Sequence, residues 1–290
     1  MELGTIITAI VTPFDADQRV DEDAFVALMH HLAEHGSDGF VVCGTSGEAS
    51  TLSDDEHLGL IRLAVRERPA GTTVIAGTGS NDTRHAVFLT RRATELGADA
   101  VLSVTPYYNR PSRRGLVRHY QEVAEATDLP IGLYNIPVRT GLDMPNDLLA
   151  ELAEIDGIEF VKQANDDNLA LVPGLALYAG NDGTLARTLD LGGAGGILVS
   201  SHIVGDEMRR LVDDPEHRAD IDAGLRDVYD TIFSVPNPVG IKAALNLLGQ
   251  PVGGLRLPHV EADRREVATI RAMLERHGLL AASGSSVAPA

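Results

Sequence analysis

Short apolar runs rich in β-formers alternate with longer amphipathic stretches along most of the chain. The apolar runs predict strands at Thr5–Val11, Phe40–Cys43, Thr73–Ala76, Ala100–Val104, Ile131–Tyr134, Ile158–Val161, Leu177–Ala179 and Gly196–Val199. Helical spacing predicts helices over Glu22–Glu34, from Asp54 onward, over Asp82–Leu96 and over Gly115–Ala126. Strand interiors such as Val41-Val42-Cys43 and Ile131-Gly132-Leu133 are continuous rather than alternating. That is the pattern of a parallel sheet covered on both faces. The rhythm amounts to about eight strand–helix units, which predicts an α/β fold of the (β/α)8 TIM-barrel type.

Helix ends are punctuated. Ser53 before Asp54-Asp55-Glu56 forms a capping box, Asn81-Asp82 serves the next helix, and Gly36 and Gly97 follow helices where a left-handed residue is wanted. After about residue 204 only helical patterns remain, at Asp220–Phe233, Val239–Leu248 and Asp263–His277, with Pro236 and Pro238 forcing a break. The expected organisation is a catalytic barrel over 1–204, a C-terminal helical extension over 205–280, and a small, polar, disordered tail over 281–290.

Charge changes the picture first by exclusion. The formal net charge is -18 and no Lys/Arg run offers a phosphate footprint, so nucleic acid is not an expected partner. No apolar run reaches the roughly 18 residues of a membrane span. Cys43 is the only cysteine and the start, Met1-Glu2-Leu3-Gly4, has no basic, apolar leader character, so a cytoplasmic location is expected. There is no Walker loop, no Gly-x-Gly-x-x-Gly opening a helix and no His-Glu-x-x-His, so neither a nucleotide cofactor nor a metal is signalled.

Among 24 basic Lys and Arg residues only two are lysines, Lys162 and Lys242. A chain that uses arginine wherever a positive charge suffices keeps lysine where arginine fails. Lysine can lose its proton and form an imine; arginine can do neither. Lys162 closes Ile158-Glu159-Phe160-Val161-Lys162 at the carboxyl end of the sixth strand, the end where barrel active sites lie. The competing reading of such a residue is a buried lysine paired with a carboxylate. Lys242 lies within a predicted C-terminal helix and reads as a packing or capping residue.

Other strand ends carry chemistry too. The second ends in Gly44-Thr45-Ser46-Gly47-Glu48, two hydroxyls between glycines, which also suits a tight turn. The fourth ends in Thr105-Pro106-Tyr107-Tyr108-Asn109-Arg110-Pro111 and the fifth in Tyr134-Asn135-Ile136-Pro137-Val138-Arg139-Thr140-Gly141. Three of the chain's six tyrosines lie at these two ends. A phenol can relay protons and an arginine can clamp a carboxylate; aromatic packing and a surface ion pair are the plainer alternatives. Gly180-Asn181-Asp182-Gly183 and Gly192–Gly196 allow either phosphate binding or exposed backbone carbonyls beside a small site.

Taken as a set, Gly44-Thr45-Ser46-Gly47-Glu48, Tyr134-Asn135-x-Pro137 and a strand-closing Lys162 resemble the dihydrodipicolinate synthase / N-acetylneuraminate lyase family over about residues 4–260. Tyr107-Tyr108-Asn109-Arg110-Pro111, Arg139, Asn237-Pro238 through Lys242-Ala243-Ala244-Leu245, and Arg256-Leu257-Pro258 are similar to its synthase branch. The resemblance implies a Schiff-base lyase of class I aldolase type that forms a pyruvate imine on Lys162 and needs no metal or organic cofactor. The implied reaction condenses pyruvate with L-aspartate 4-semialdehyde in the route to diaminopimelate and lysine. Tyr134 would shuttle protons, linked through Thr45 to a Tyr108 reaching in from the neighbouring subunit of a homotetramer built as two tight dimers. Ser46 and Arg139 would bind substrate, with Arg139 on the aldehyde's carboxylate, and Gly180 and Ile197 would give backbone contacts. Two alternatives stay open: a sugar-acid aldolase or dehydratase of the same superfamily, and a catalytically silent homologue.

The chain departs from that pattern at Ser46, where threonine is usual, at Asn181 and His202, and at Gln163-Ala164-Asn165-Asp166 after the lysine. His57, Asn81 and Tyr107 match a lysine effector site of the family. Asp54 and His85 stand where a histidine and a glutamate would help, so weak or absent feedback by lysine is expected.

Overall fold

Eight parallel strands, each bonded to the next in chain order and the last to the first, close into a barrel. They are β1 (Ile6–Ala9), β2 (Gly39–Val42), β3 (Thr73–Gly77), β4 (Ala100–Val104), β5 (Ile131–Asn135), β6 (Ile158–Gln163), β7 (Ala176–Ala179) and β8 (Gly195–Leu198). The computed structural model describes residues 3–281. Apart from Glu159 and Ala176 the strands are covered on both faces, which is why the sequence shows runs and not alternation. Ile7, Val41, Ile75, Leu102, Phe160 and Ile197 fill the barrel interior, while Ile6, Phe40, Val74, Val101, Leu133 and Val161 pack beneath the helices. The interior tolerates Phe160 only because Gly132 stands opposite it in register; a Cβ at 132 would lie 2.1 Å from the Phe160 ring.

Around the barrel run α1 (Glu22–Glu34), α2 (Asp54–Glu67), α3 (Thr83–Leu96), α4 (Arg113–Ala124), the short α5 (Pro137–Thr140), α6 (Asn146–Leu152), α7 (Leu185–Asp190) and α8 (Ser201–Asp213). Three further helices follow, α9 (Arg218–Ile232), α10 (Val239–Leu247) and α11 (Arg264–Arg276). The caps are those the sequence signals. Ser53 accepts from the Glu56 N–H and Glu56 accepts from the Ser53 N–H, Asp82 caps α3, and Gly97 closes it at φ 87°.

Most element ends shift by a residue or two from expectation, and four differences bear on the site or the connections. β1 is shorter than Thr5–Val11, and β6 extends through Gln163, so that Lys162 sits within the strand. α4 opens two residues earlier than Gly115, because the Ser112 hydroxyl accepts from the Gly115 N–H and so caps a helix beginning at Arg113. No helix joins β6 to β7. That connection holds a 3-10 turn at Asp166–Asn168 and a bridge between Val172 and Leu175, and Asn165 accepts from the Asp167 N–H. Asn and Asp side chains bonding to nearby backbone compete with helix formation, and all four residues at 165–168 are Asn or Asp. α8 follows β8 after two residues and bends at Val204. Except for Ala281, the tail expected at 281–290 lies outside the described residues. Among the described residues no helix is long and apolar enough to cross a membrane.

Candidate active site

Parallel register places the central groups. Tyr134 on β5 is the lateral partner of Lys162 on β6, and Lys162 is in turn the partner of Tyr178 on β7. Two register positions below, on the same face, Gly132 pairs with Phe160, whose ring meets Tyr178 edge-on at 5.8 Å. This layer floors the mouth of the barrel, and Lys162 stands on it with its Nζ 4.4 Å from the centroid of the Tyr134 ring. Lys162 is 5% exposed, and among the described residues its ammonium has no hydrogen-bond or ion-pair partner. The competing reading of a carboxylate-paired lysine therefore does not describe this residue.

Burial lowers the Lys162 pKa to about 8, with the negative charge of Asp182 opposing the shift and the positive charge of Arg139 adding to it. At pH 7 about a tenth of such an amine is neutral, against roughly one in a few thousand for a free lysine. Burial also pushes the Tyr134 phenol up to about 12, while the positive charge of Arg139 and the neighbouring Thr45 side chain pull it back. The phenol thus keeps its proton near neutrality and can act as a donor or a relay, not as a resident phenolate.

Thr45 and Ser46 sit on the loop leaving β2, between two non-glycine residues in left-handed conformation, Cys43 at φ 57° and Glu48 at φ 53°. Such positions persist only where the surroundings over-determine them. Ser46 is buried and its Oγ accepts from Nδ2 of Asn237 at 3.0 Å, so its own proton is not used in that bond. Gly180, at the end of β7, donates its N–H to the Gln163 carbonyl at 2.7 Å; a Cβ there would lie 2.7 Å from the same oxygen. The β7 end is thereby drawn against the residue that follows Lys162. Ile197 is fully buried, in the same interior cluster as Tyr134.

Three groups in and around the site were not legible as such. Asp182 was grouped with its glycine neighbours, yet its carboxylate is 2% exposed and accepts from the N–H groups of Val199 and Ser200 and from the Ser200 hydroxyl. It joins the end of β8 to the start of α8 and supplies a negative charge felt at Lys162. Asn135 donates to Asp143 (2.9 Å), Gln163 (3.0 Å) and the Met144 carbonyl (3.2 Å), tying β5 to β6 just past Tyr134 and Lys162. Asp143 also receives Asn165 and Asn168, so the unusual Gln163-Ala164-Asn165-Asp166 stretch is part of one amide–carboxylate network. Lys242, not Lys162, makes a buried carboxylate pair; its partner is Glu48. Lysine retention was the available signal for Lys242, and the acidic partner far away in sequence was not visible.

Tyr108 is 89% exposed at φ 71° and is not brought to Thr45 or Tyr134 within the chain. Tyr107 is partly exposed beside it. His57 is buried and donates through Nε2 to the Gly77 carbonyl at 2.8 Å. Asn81 lends its carbonyl to the Asn109 amide, and His85 pairs with Asp54 at 2.9 Å. His202 is neutral in the fold: it donates through Nδ1 to the Val199 carbonyl and accepts through Nε2 from the Val11 N–H, and burial holds its pKa down at about 4.

The sequence model of the Dihydrodipicolinate synthetase family matches residues 2–277. A 4-hydroxy-tetrahydrodipicolinate synthase of Heliobacterium modesticaldum is 42% identical over 99% of this chain and 100% of its own length. That of Moorella thermoacetica is 41% identical over 97% of this chain and 100% of its own. Among solved structures, the dihydrodipicolinate synthase of Thermotoga maritima superposes with a TM-score of 0.92 at 34% identity, covering 95% of this chain and 99% of that one. The lysine-bound enzyme of Cyanidioschyzon merolae superposes at 0.91 and 38% identity, covering 96% and 99%. With its family model matched over nearly the whole length, relatives at about 40% identity and the same closed barrel around a strand-borne lysine, this chain belongs to the dihydrodipicolinate synthetase family.

Proposed function

We propose that this chain is a 4-hydroxy-tetrahydrodipicolinate synthase, condensing pyruvate with L-aspartate 4-semialdehyde through an imine on Lys162. The observation that carries the reading is the buried, unpartnered Lys162 amine registered beside Tyr134 at the barrel mouth. The neutral amine adds to the C2 carbonyl of pyruvate and water leaves, giving the imine. Loss of a C3 proton gives the enamine, which attacks the aldehyde carbon; cyclisation by the substrate's own amino group displaces Lys162. Each step moves a proton, and Tyr134 with Thr45 relays it. Arg139, whose positive charge reaches both Tyr134 and Lys162, holds the carboxylate of the incoming aldehyde. The imine is the only covalent group the chemistry requires, with no metal or organic cofactor.

Assay of the purified protein with pyruvate and either aspartate semialdehyde or a panel of sugar acids tests the substrate. Turnover is expected with aspartate semialdehyde; efficient cleavage or dehydration of a sugar acid in its place would establish the other branch of the superfamily.

The same reading makes the protein a homotetramer of two tight dimers. Tyr108 projects from its subunit, and Tyr107 next to it in sequence is also exposed, which suits insertion into a partner's site next to Thr45. It also bears on regulation. His57 is committed to the Gly77 carbonyl, and the two departing residues, Asp54 and His85, bond to each other. Titration with L-lysine is expected to inhibit weakly or not at all through the sub-millimolar range; strong inhibition there would refute this reading of the effector positions.

A further inference from the structure

Beneath the Gly44–Glu48 loop lies a second cluster of charges that the reaction above does not use. Glu48 is 3% exposed and Lys242 1%. The Lys242 ammonium donates to Glu48 Oε1 at 2.7 Å and to the Gly254 carbonyl at 2.6 Å, and it sits 4.4 Å from the centroid of the Phe14 ring. Glu48 Oε2 accepts from the backbone N–H of Arg256 at 3.0 Å. The Arg256 guanidinium binds both carboxylate oxygens of Glu56, at 2.6 and 2.8 Å. Every strong partner of the Glu48 carboxylate thus comes from α10 or the segment after it. Asn237, just before α10, grips the same loop a second time through Ser46.

A buried ion pair is a poor way to gain stability, since a packed apolar pair of the same volume does as well or better. What it does provide is one geometry. Glu48 is the left-handed residue that ends the Thr45-Ser46 loop, and its carboxylate is held from two directions. The compact ammonium reaches a carboxylate, a carbonyl and a ring face lying in different directions, which a planar guanidinium fork could not do. The chain's only other lysine is therefore also one that arginine cannot replace, for a different reason.

We propose that the Lys242–Glu48 pair is a positioning device through which the C-terminal helices set the Thr45 and Ser46 hydroxyls against Tyr134. The proposal rests on the reading that Thr45 and Ser46 serve the reaction at Lys162. Lys242 and Glu48 act through the loop and touch no substrate.

The test is the charge-free pair Glu48→Gln with Lys242→Met, which leaves no orphaned buried charge, measured alone and with Thr45→Val. The pair is expected to elute and melt close to wild type yet lose about tenfold or more in kcat, the scale of a small misplacement of a reacting group. The KM for aspartate semialdehyde should move little, because Arg139 lies outside this loop. Thr45→Val, costing about tenfold or more in the wild-type background, should add little in the pair because its hydroxyl is already misplaced. Full kcat in the pair, or a Thr45→Val loss as large there as in wild type, overturns the proposal. If the pair unfolds, Lys242→Arg, which keeps a positive charge beside Glu48 but not the geometry of the ammonium, is read against the same two outcomes. Failure of the parent reading looks different: the wild-type protein itself would then form no adduct with pyruvate.

Discussion

Replacing Lys162 with arginine is expected to lower kcat/KM by about 10³-fold or more, the scale reached when a covalent nucleophile is removed. Charge is preserved in that variant, so an electrostatic role for Lys162 would survive it and an imine would not. Steady-state assay of Lys162→Arg beside Lys162→Met separates the two: both should be equally inactive if the bond matters, and arginine should retain activity if only the charge does. The amine is buried and unpartnered, so Lys162→Met leaves no broken ion pair behind and should fold normally. The wild-type pH profile carries the same chemistry. The attacking species is the neutral amine, its pKa is lowered by burial to about 8, and the fraction available falls as pH drops below that value. kcat/KM should therefore decline about tenfold per pH unit on the acid side of 8 and level off above it. A profile flat from pH 6 to 9 would mean that the free enzyme's amine is not the attacking group.

Removing the Tyr134 hydroxyl is the second large effect. Tyr134→Phe keeps the ring that packs beside Lys162 and in the interior cluster, so stability should change little. Proton relay typically contributes 10²- to 10⁴-fold, and a loss of about 10²-fold or more in kcat is expected. The phenol donates as a neutral group, because burial raises its pKa to about 12, so the variant's loss should be nearly constant across neutral pH. Comparison of kcat for wild type and Tyr134→Phe from pH 6 to 9 checks this. A loss confined to KM would instead assign Tyr134 to binding alone.

The barrel was legible because burying both strand faces writes itself into the chain as uninterrupted apolar runs, and because the caps at Ser53 and Asp82 bond as their sequence pattern suggests. The site was legible to the extent that it is local. Lys162 and Tyr134 lie at the carboxyl ends of β6 and β5, where parallel register pairs them, and Thr45 and Arg139 lie in the segments that leave β2 and β5. The missing helix between β6 and β7 was hidden because a periodic reading of that interval ignores Asn and Asp side chains that bond to their own backbone. The remainder was out of reach for a different reason. Glu48 meets Lys242 across 194 residues, and Asp182 reaches the turn after β8 only because β7 and β8 are neighbours in a closed barrel. No local spacing encodes either pairing. Lysine scarcity drew attention to Lys162 and Lys242 alike, but composition could not say that one would stand alone and the other would be locked to a carboxylate.

The account turns on the covalent bond to Lys162. Incubation with pyruvate, reduction with borohydride and mass mapping of the digested protein should find one reduced pyruvyl group per chain, on the peptide containing Lys162, and none in Lys162→Met. An unmodified wild-type protein, or a pyruvyl group on Lys242 in its place, would contradict the account.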